Sequence, residues 1–310
     1  LPFFYTDKYI ISVYNKGKSM KKPWSSFSPP DHWKSNGEPT HFENKDPDGN
    51  VIGMDKWQND YMTRSVVNDE TLAKNHILFL GDSFVFGHGV ERGKTLSDFF
   101  DKLISDDYSC FNLGVPGAGI DTILLRLQQW CNKFGNQTHT VYFGITSLTR
   151  LVHWEPEKTD WTWDDSIYDE EMEMWPFLYR SSKIIPKQKF RQRRAKIIHD
   201  SYQNLLSNVQ CMARFDASIQ AVINLSKAYN FNVYFFDTCC DINDKDREII
   251  KEHTEDYNVK WLTSSNGTLG KLSDEEWDKY IIKNDGHWTP HGNKKVASIL
   301  YNETEEWYKK

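Results

Sequence analysis

The apolar run Ile77-Leu78-Phe79-Leu80, closed abruptly by Gly81-Asp82-Ser83, constrains this chain more than any other segment. Four consecutive apolar residues ended by a glycine turn describe a strand buried on both faces, since a half-exposed strand would alternate with polar residues. The pattern then repeats. After Thr95, LSDFFDKLI carries apolar residues at helical spacing; YSCFNLG predicts the next strand, IDTILLRLQQWCNKF the next helix and THTVYFGI a third strand. A long helical stretch from about Ala195 to Tyr229 precedes another apolar run, which starts at Phe231 and ends in Asp237. Such alternation predicts an α/β fold with a central parallel sheet covered by helices on both faces.

Two segments break the rhythm. Residues 1–75 are rich in prolines, glycines and turn formers, yet hold Trp24, Phe27, Trp33 and Phe42. They predict an irregular segment wrapped on the 76–310 domain through its aromatic residues. Residues 151–195 form an insertion, first acidic and tryptophan-rich, then strongly basic. Its halves can neutralise each other on the surface. Alternatively it is a lid whose Trp154, Trp161, Trp163 and Trp175 offer flat faces to sugar or acyl groups; RNA binding by the basic half is the third reading. Near the C-terminal end, residues 245–256 predict a helix and the segment to about Gly270 mostly loop. LSDEEWDKYI predicts a helix with Ser273 as N-cap and Glu276 at the capping-box position. Thr289 and Pro290 have the chemistry of an N-cap and first helical residue, opening the last helix.

Composition narrows the function classes. The chain has 310 residues and a 38% hydrophobic content, with Trp 12, Tyr 15 and Phe 18, so a core can form without disulfide staples. A net charge of −6 provides no overall positive field for nucleic acid. The five cysteines, Cys110, Cys131, Cys211, Cys239 and Cys240, form no C-x-x-C pair. Their odd number suits a reducing compartment. No stretch approaches the ~18 apolar residues of a membrane span. The opening residues are apolar and then basic, the reverse of a secretory signal, so a cytoplasmic location is expected.

Chemistry concentrates at two places. Ser83 follows a buried strand, at the carboxyl edge where α/β folds build their sites. Alone it is an ordinary turn serine. His287 lies two residues before Thr289, in a loop just ahead of the last helix, and Asp285 lies two residues before it. That spacing lets a carboxylate reach Nδ1 of the imidazole, as a base in nucleophilic catalysis requires. Two bland readings compete: a polar turn opening the helix, and a metal loop of Asp285, His287 and His291. Asp241, Asn243 and Lys245 imitate a calcium loop only superficially, because Lys245 brings positive charge to a ligand position.

GDSFVFGHG (Gly81 to Gly89), NLGVPGAGIDTI (Asn112 to Ile123) and DGHWTPHGN (from Asp285) stand in this order along the chain. The three blocks resemble the first, second and closing motifs of the GDSL/SGNH hydrolase family. The resemblance implies a flavodoxin-like three-layer α/β/α sandwich that cleaves acyl esters without a metal or organic cofactor. Its nucleophile falls on Ser83, its histidine on His287 and its acid on Asp285. The two-residue Asp–His spacing resembles the branch that includes acyltransferase-like proteins of polysaccharide modification, which implies an O-acetyl ester on a carbohydrate as substrate. The oxyanion donors fall on the backbone N–H groups of Ser83 and Gly117. The family asparagine of G-x-N-D is replaced in Gly144-Ile145-Thr146-Ser147, so Thr146 stands in the third donor's position. Arg150, four residues on, would either bind an anionic substrate group or bridge the acidic stretch from Glu155; Trp154 is a candidate substrate wall. Against the enzyme stands a non-catalytic carbohydrate-binding or structural protein, for which the missing asparagine is the main support.

Overall fold

A computed structural model describes residues 41–45, 51–55, 63–65, 67–115, 118–146, 151–155, 173–177, 208–238, 252, 260–262, 269, 273–282 and 286–308. Strands β1 (His41–Lys45) and β2 (Val51–Asp55) pair antiparallel. This hairpin lies in the stretch predicted to be irregular. The regular α/β region opens with helix α1 (Asp69–Ala73), capped by Asn68, and strand β3 (Asn75–Leu80). Helices α2 (Ser83–Phe86) and α3 (Leu96–Asp101) come next, then β4 (Tyr108–Asn112), α4 (Ile120–Phe134) and β5 (Thr138–Ile145). A second antiparallel pair, β6 (Leu151–Glu155) and β7 (Glu173–Phe177), falls within the predicted insertion. Helix α5 (Asn208–Tyr229), β8 (Asn232–Asp237), the two-residue β9 (Lys260–Trp261), α6 (Asp274–Tyr280) and α7 (Pro290–Thr304) complete the order.

The central sheet runs β4-β3-β5-β8-β9, with each neighbouring pair parallel. Numbered along the sheet-forming chain this is 2-1-3-4-5, the flavodoxin-like order. Strands β3 and β5 lie inside the sheet, and their long apolar runs follow from burial on both faces. On one face, His76 and Phe111 meet Trp130 of α4. On the other, Phe79 stacks on Tyr142, and both contact Phe100 of α3, which in turn touches Tyr301 of α7. Helices on both faces make the three layers. The short β9 was read as loop, since two residues leave no periodicity to recognise. The predicted caps at Ser273 and Thr289 are present, each side chain accepting a hydrogen bond from a backbone N–H of the first turn.

A chain of hydroxyls fastens the last helix to the sheet. Each hydroxyl has one proton, and Thr304 donates its proton to the Leu300 carbonyl at 2.7 Å. Tyr142 therefore donates to Thr304 at 2.6 Å and receives from Tyr308 at 2.9 Å. All three are buried. Removing the central hydroxyl by Tyr142→Phe leaves Thr304 and Tyr308 each one partner short. It should cost about 1–3 kcal/mol, read as a lower urea midpoint at unchanged slope.

His76 supplies a pH dependence. Its Nε2–H donates to the Leu72 carbonyl at 3.2 Å, while aromatic rings of Phe111, Trp130 and Phe134 surround it. Burial lowers its pKa from 6.5, the Leu72 bond opposing this only in part. As pH falls through 6.5, the unfolded chain takes up a proton that the folded chain refuses. Stability present above that pH is lost as pH drops toward the folded value. The loss between about pH 7.5 and about pH 5.5 should therefore be smaller in His76→Phe than in the wild type, measured by denaturant melts at each pH.

Candidate active site

Strand β3 delivers Gly81 and Asp82 to the carboxyl edge of the sheet, where the strand order reverses between β3 and β5. That reversal opens a crevice in α/β sheets. Asp82 is the N-cap of α2: its carboxyl oxygen Oδ1 accepts the Phe84 N–H at 3.0 Å. Its second oxygen, Oδ2, accepts the Thr146 hydroxyl at 2.9 Å. Its backbone braces the same turn, the Asp82 carbonyl accepting the Phe86 N–H at 2.9 Å. With Asp82 capping, Ser83 becomes the first helical residue, 8% exposed, with its N–H among those a helix start leaves without a carbonyl partner in the helix.

The β4 end packs against this turn. Gly114 is required here by close approach, since a Cβ on it would lie 2.3 Å from the Phe86 nitrogen. Its N–H donates to Asn112 Oδ1 at 3.0 Å, and Asn112 Nδ2 donates to the Val85 carbonyl at 2.7 Å. The sheet pairing continues into the site through Leu113 N–H to Phe79 O and Val115 N–H to Gly81 O.

The imidazole arrives from the far end of the sequence. Ile281 and Trp288 form an antiparallel bridge, and Ile282 N–H donates to the His287 carbonyl at 2.7 Å. Gly286 closes the loop with φ +88, a left-handed conformation that side chains rarely adopt. Thr289 fastens the loop to α6 by donating its N–H to the Tyr280 carbonyl and its hydroxyl to the Lys279 carbonyl. In this frame His287 Nε2 lies 2.7 Å from Ser83 Oγ, a hydrogen bond between residues 204 positions apart. The Phe84 and His88 rings pack on the imidazole with centroids at 4.7 and 4.6 Å, and Phe84 also meets Trp288 edge-on. Both packing rings come from the turn that carries Ser83.

The other predicted residues divide by position. Thr146 is buried just beyond β5 with its proton given to Asp82, so it can donate to an oxyanion only by giving up that bond. Trp154 lies in β6, whose backbone pairing alone is described. Asp285, Gly117 and Arg150 lie outside the described residues, as do the Asp241 turn, Trp161 and Trp163. Of the alternative metal set, His291 sits exposed in the first turn of α7. Among the described residues no group of three or more His, Cys, Asp or Glu side chains is placed to hold a metal ion, and no helix is long and apolar enough to cross a membrane. Sequence reasoning missed the Asn112 amide, the packing roles of Phe84 and His88, and Arg64. The first three lie inside the quoted motifs, but their roles depend on distances that spacing does not encode.

No family model matches the chain, and no curated protein sequence is similar to it. Among solved structures, it is similar to a psychrotrophic esterase from Pseudoalteromonas sp. at 11% identity and a TM-score of 0.45, over 76% of this chain and 98% of that one. It is similar to a member of the lipolytic protein G-D-S-L family from Veillonella parvula at 12% identity and a TM-score of 0.43, over 74% and 98% of the two chains. It is also similar to the lipase/acylhydrolase from Enterococcus faecalis at 12% identity and a TM-score of 0.42, over 76% and 97%.

Thr146→Val keeps the shape and removes the donor to a buried carboxyl oxygen. It should cost about 1–3 kcal/mol and Thr146→Ser much less. Paired denaturant melts check this; equal stability of the two variants would show that the bond contributes nothing.

Proposed function

We propose that this protein is a serine esterase in which Ser83 is the nucleophile, His287 its base and Asp285 the carboxylate that orients the base. The observation that carries the reading is the 2.7 Å hydrogen bond between Ser83 Oγ and His287 Nε2 at the carboxyl edge of a parallel sheet. In the Nδ1–H tautomer, Nε2 accepts the serine proton as Oγ attacks the ester carbonyl. The role of Asp285 is to hold that tautomer and to stabilise the imidazolium. We assign the oxyanion to the backbone N–H groups of Ser83 and Gly117. Thr146 is a brace of Asp82 in this scheme, which leaves the hole without a side-chain donor among the described residues. One well-aimed donor is worth about 2.7–4 kcal/mol in the transition state, so turnover should be modest beside enzymes with a full set.

Collapse of the tetrahedral intermediate passes the proton from His287 to the departing alcohol and leaves an acyl group on Ser83. Water then releases it, with His287 again as base. A sugar hydroxyl in place of water would make the reaction O-acyl transfer. The substrate class we assign is an acetyl ester on a carbohydrate, with Arg150 and Trp154 as substrate contacts; the closing Asp-Gly-His motif supports this assignment. A non-catalytic carbohydrate-binding protein is the competing reading, favoured by the commitment of Thr146 to Asp82.

A fluorophosphonate probe separates the two. The wild type should be labelled and Ser83→Ala should not, while both melt alike. On a panel of short-chain esters and acetylated sugars, Ser83→Ala should lose at least about four orders of magnitude in kcat. An unlabelled wild type, or a labelled Ser83→Ala, would remove the esterase reading.

A further inference from the structure

Helix α2 has four residues, and a helix this short satisfies almost none of its own carbonyls. The partners can be traced one by one. The Ser83 carbonyl accepts the N–H groups of Gly87 and His88, at 3.1 and 2.9 Å, and the Phe84 carbonyl accepts Gly87 N–H at 3.2 Å. The Val85 carbonyl takes the Asn112 amide. The next two carbonyls, of Phe86 and Gly87, both accept Nη1 of Arg64, at 2.7 and 2.9 Å. Nη2 of the same guanidinium reaches the Val90 carbonyl at 3.3 Å, and its carbon lies 4.5 Å from the centre of the Phe86 ring.

Arg64 is only 2% exposed and comes from the segment before β3, outside every quoted motif. Its own backbone is held at the same place: Arg64 N–H donates to the Asn112 carbonyl at 3.2 Å, and Ser65 Oγ accepts Asn112 N–H at 2.9 Å. The guanidinium is thus fixed on the β4 end and grips the C-terminal end of the turn whose first residue is Ser83. A cation at a helix C-terminus also opposes the partial negative charge of the orphan carbonyls. A planar fork holding several fixed acceptors is a task for arginine; lysine, a single point donor, cannot span them.

We propose that Arg64 is a positioning residue: it sets where Ser83 Oγ stands relative to His287 by holding the far end of the serine's turn. This rests on the reading of Ser83 as nucleophile. Without the fork, the Phe86 and Gly87 carbonyls at the far end of the turn lose the guanidinium that holds them, and Oγ can drift from Nε2. A misplacement of about 1 Å costs on the order of 100-fold in rate.

The test uses the full chain with Arg64→Ala and Arg64→Lys, compared with wild type and Ser83→Ala. With a short-chain ester, Arg64→Ala should lose about 10- to 100-fold in kcat while KM changes less than about threefold. Fluorophosphonate labelling should slow in parallel, Arg64→Lys should be intermediate, and millimolar guanidinium should restore part of the Arg64→Ala rate. If Arg64→Ala does not fold, Arg64→Lys carries the comparison. A folded Arg64→Ala labelled at the wild-type rate, or Arg64→Lys equal to wild type, would overturn the proposal. So would an equal loss in both variants that guanidinium does not relieve, the mark of general destabilisation. The ¹⁵N shift of His287 Nε2 reports the bond to Ser83 without turnover, so it also works if no probe labels the wild type and the esterase reading has failed. It should move toward an unbonded value in Arg64→Ala, and an unmoved shift would refute the positioning role.

Discussion

A single helical turn leaves more backbone groups without internal partners than it satisfies, and that shortage governs the architecture around Ser83. A longer helix would close its own ladder and need only caps. Here the start is met by the Asp82 carboxyl, which receives both Phe84 N–H and the Thr146 hydroxyl. The end is met by the Asn112 amide and the Arg64 guanidinium. These groups come from the end of β3, the end of β4, the end of β5 and the segment preceding the sheet. Each of these side chains is buried, so the turn's backbone groups find their partners inside the protein.

The histidine is held by a different method. Its loop is short and closed by backbone bonds, with Gly286 supplying the left-handed residue and Thr289 joining the loop to two helices at once. Packing completes what the backbone begins: Phe84 and His88 lie against the imidazole, and both belong to the serine's own turn. The two halves of the site locate each other by ring contact as well as by the hydrogen bond between Ser83 and His287. Bulky side chains close to Ser83 in sequence thereby pack on the imidazole.

The strands and helices of the sheet could be read from the chain because their signals are local. The runs through Phe79, Phe143 and Phe235 are uninterrupted for the reason that both faces are covered. The helix around Trp130 shows its spacing because one side meets the sheet. Ser83 and His287 were legible through their turn and loop contexts, together with the resemblance of three ordered blocks. Thr146 was legible as a position but not as a role. Whether its hydroxyl faces a cleft or a neighbouring carboxyl depends on a separation of a few ångströms between two strand ends. Arg64 was invisible: one arginine in a segment without periodicity carries no mark of the carbonyls that it will meet. Long-range satisfaction of backbone groups has no sequence period, and this is where reading residue by residue stops.

The distance along the chain between serine and imidazole has a consequence for biosynthesis. Ser83 and His287 are 204 positions apart, and the helix behind the histidine docks onto the sheet through its Thr304 contact with Tyr142. At about 5–20 residues per second on the ribosome, the serine turn emerges on the order of ten to forty seconds before the imidazole. On the proposed reading of Ser83 as nucleophile and His287 as its base, a nascent chain of this kind holds the serine before its base exists. The pair of side chains can meet only after α7 has been made and has settled on the sheet.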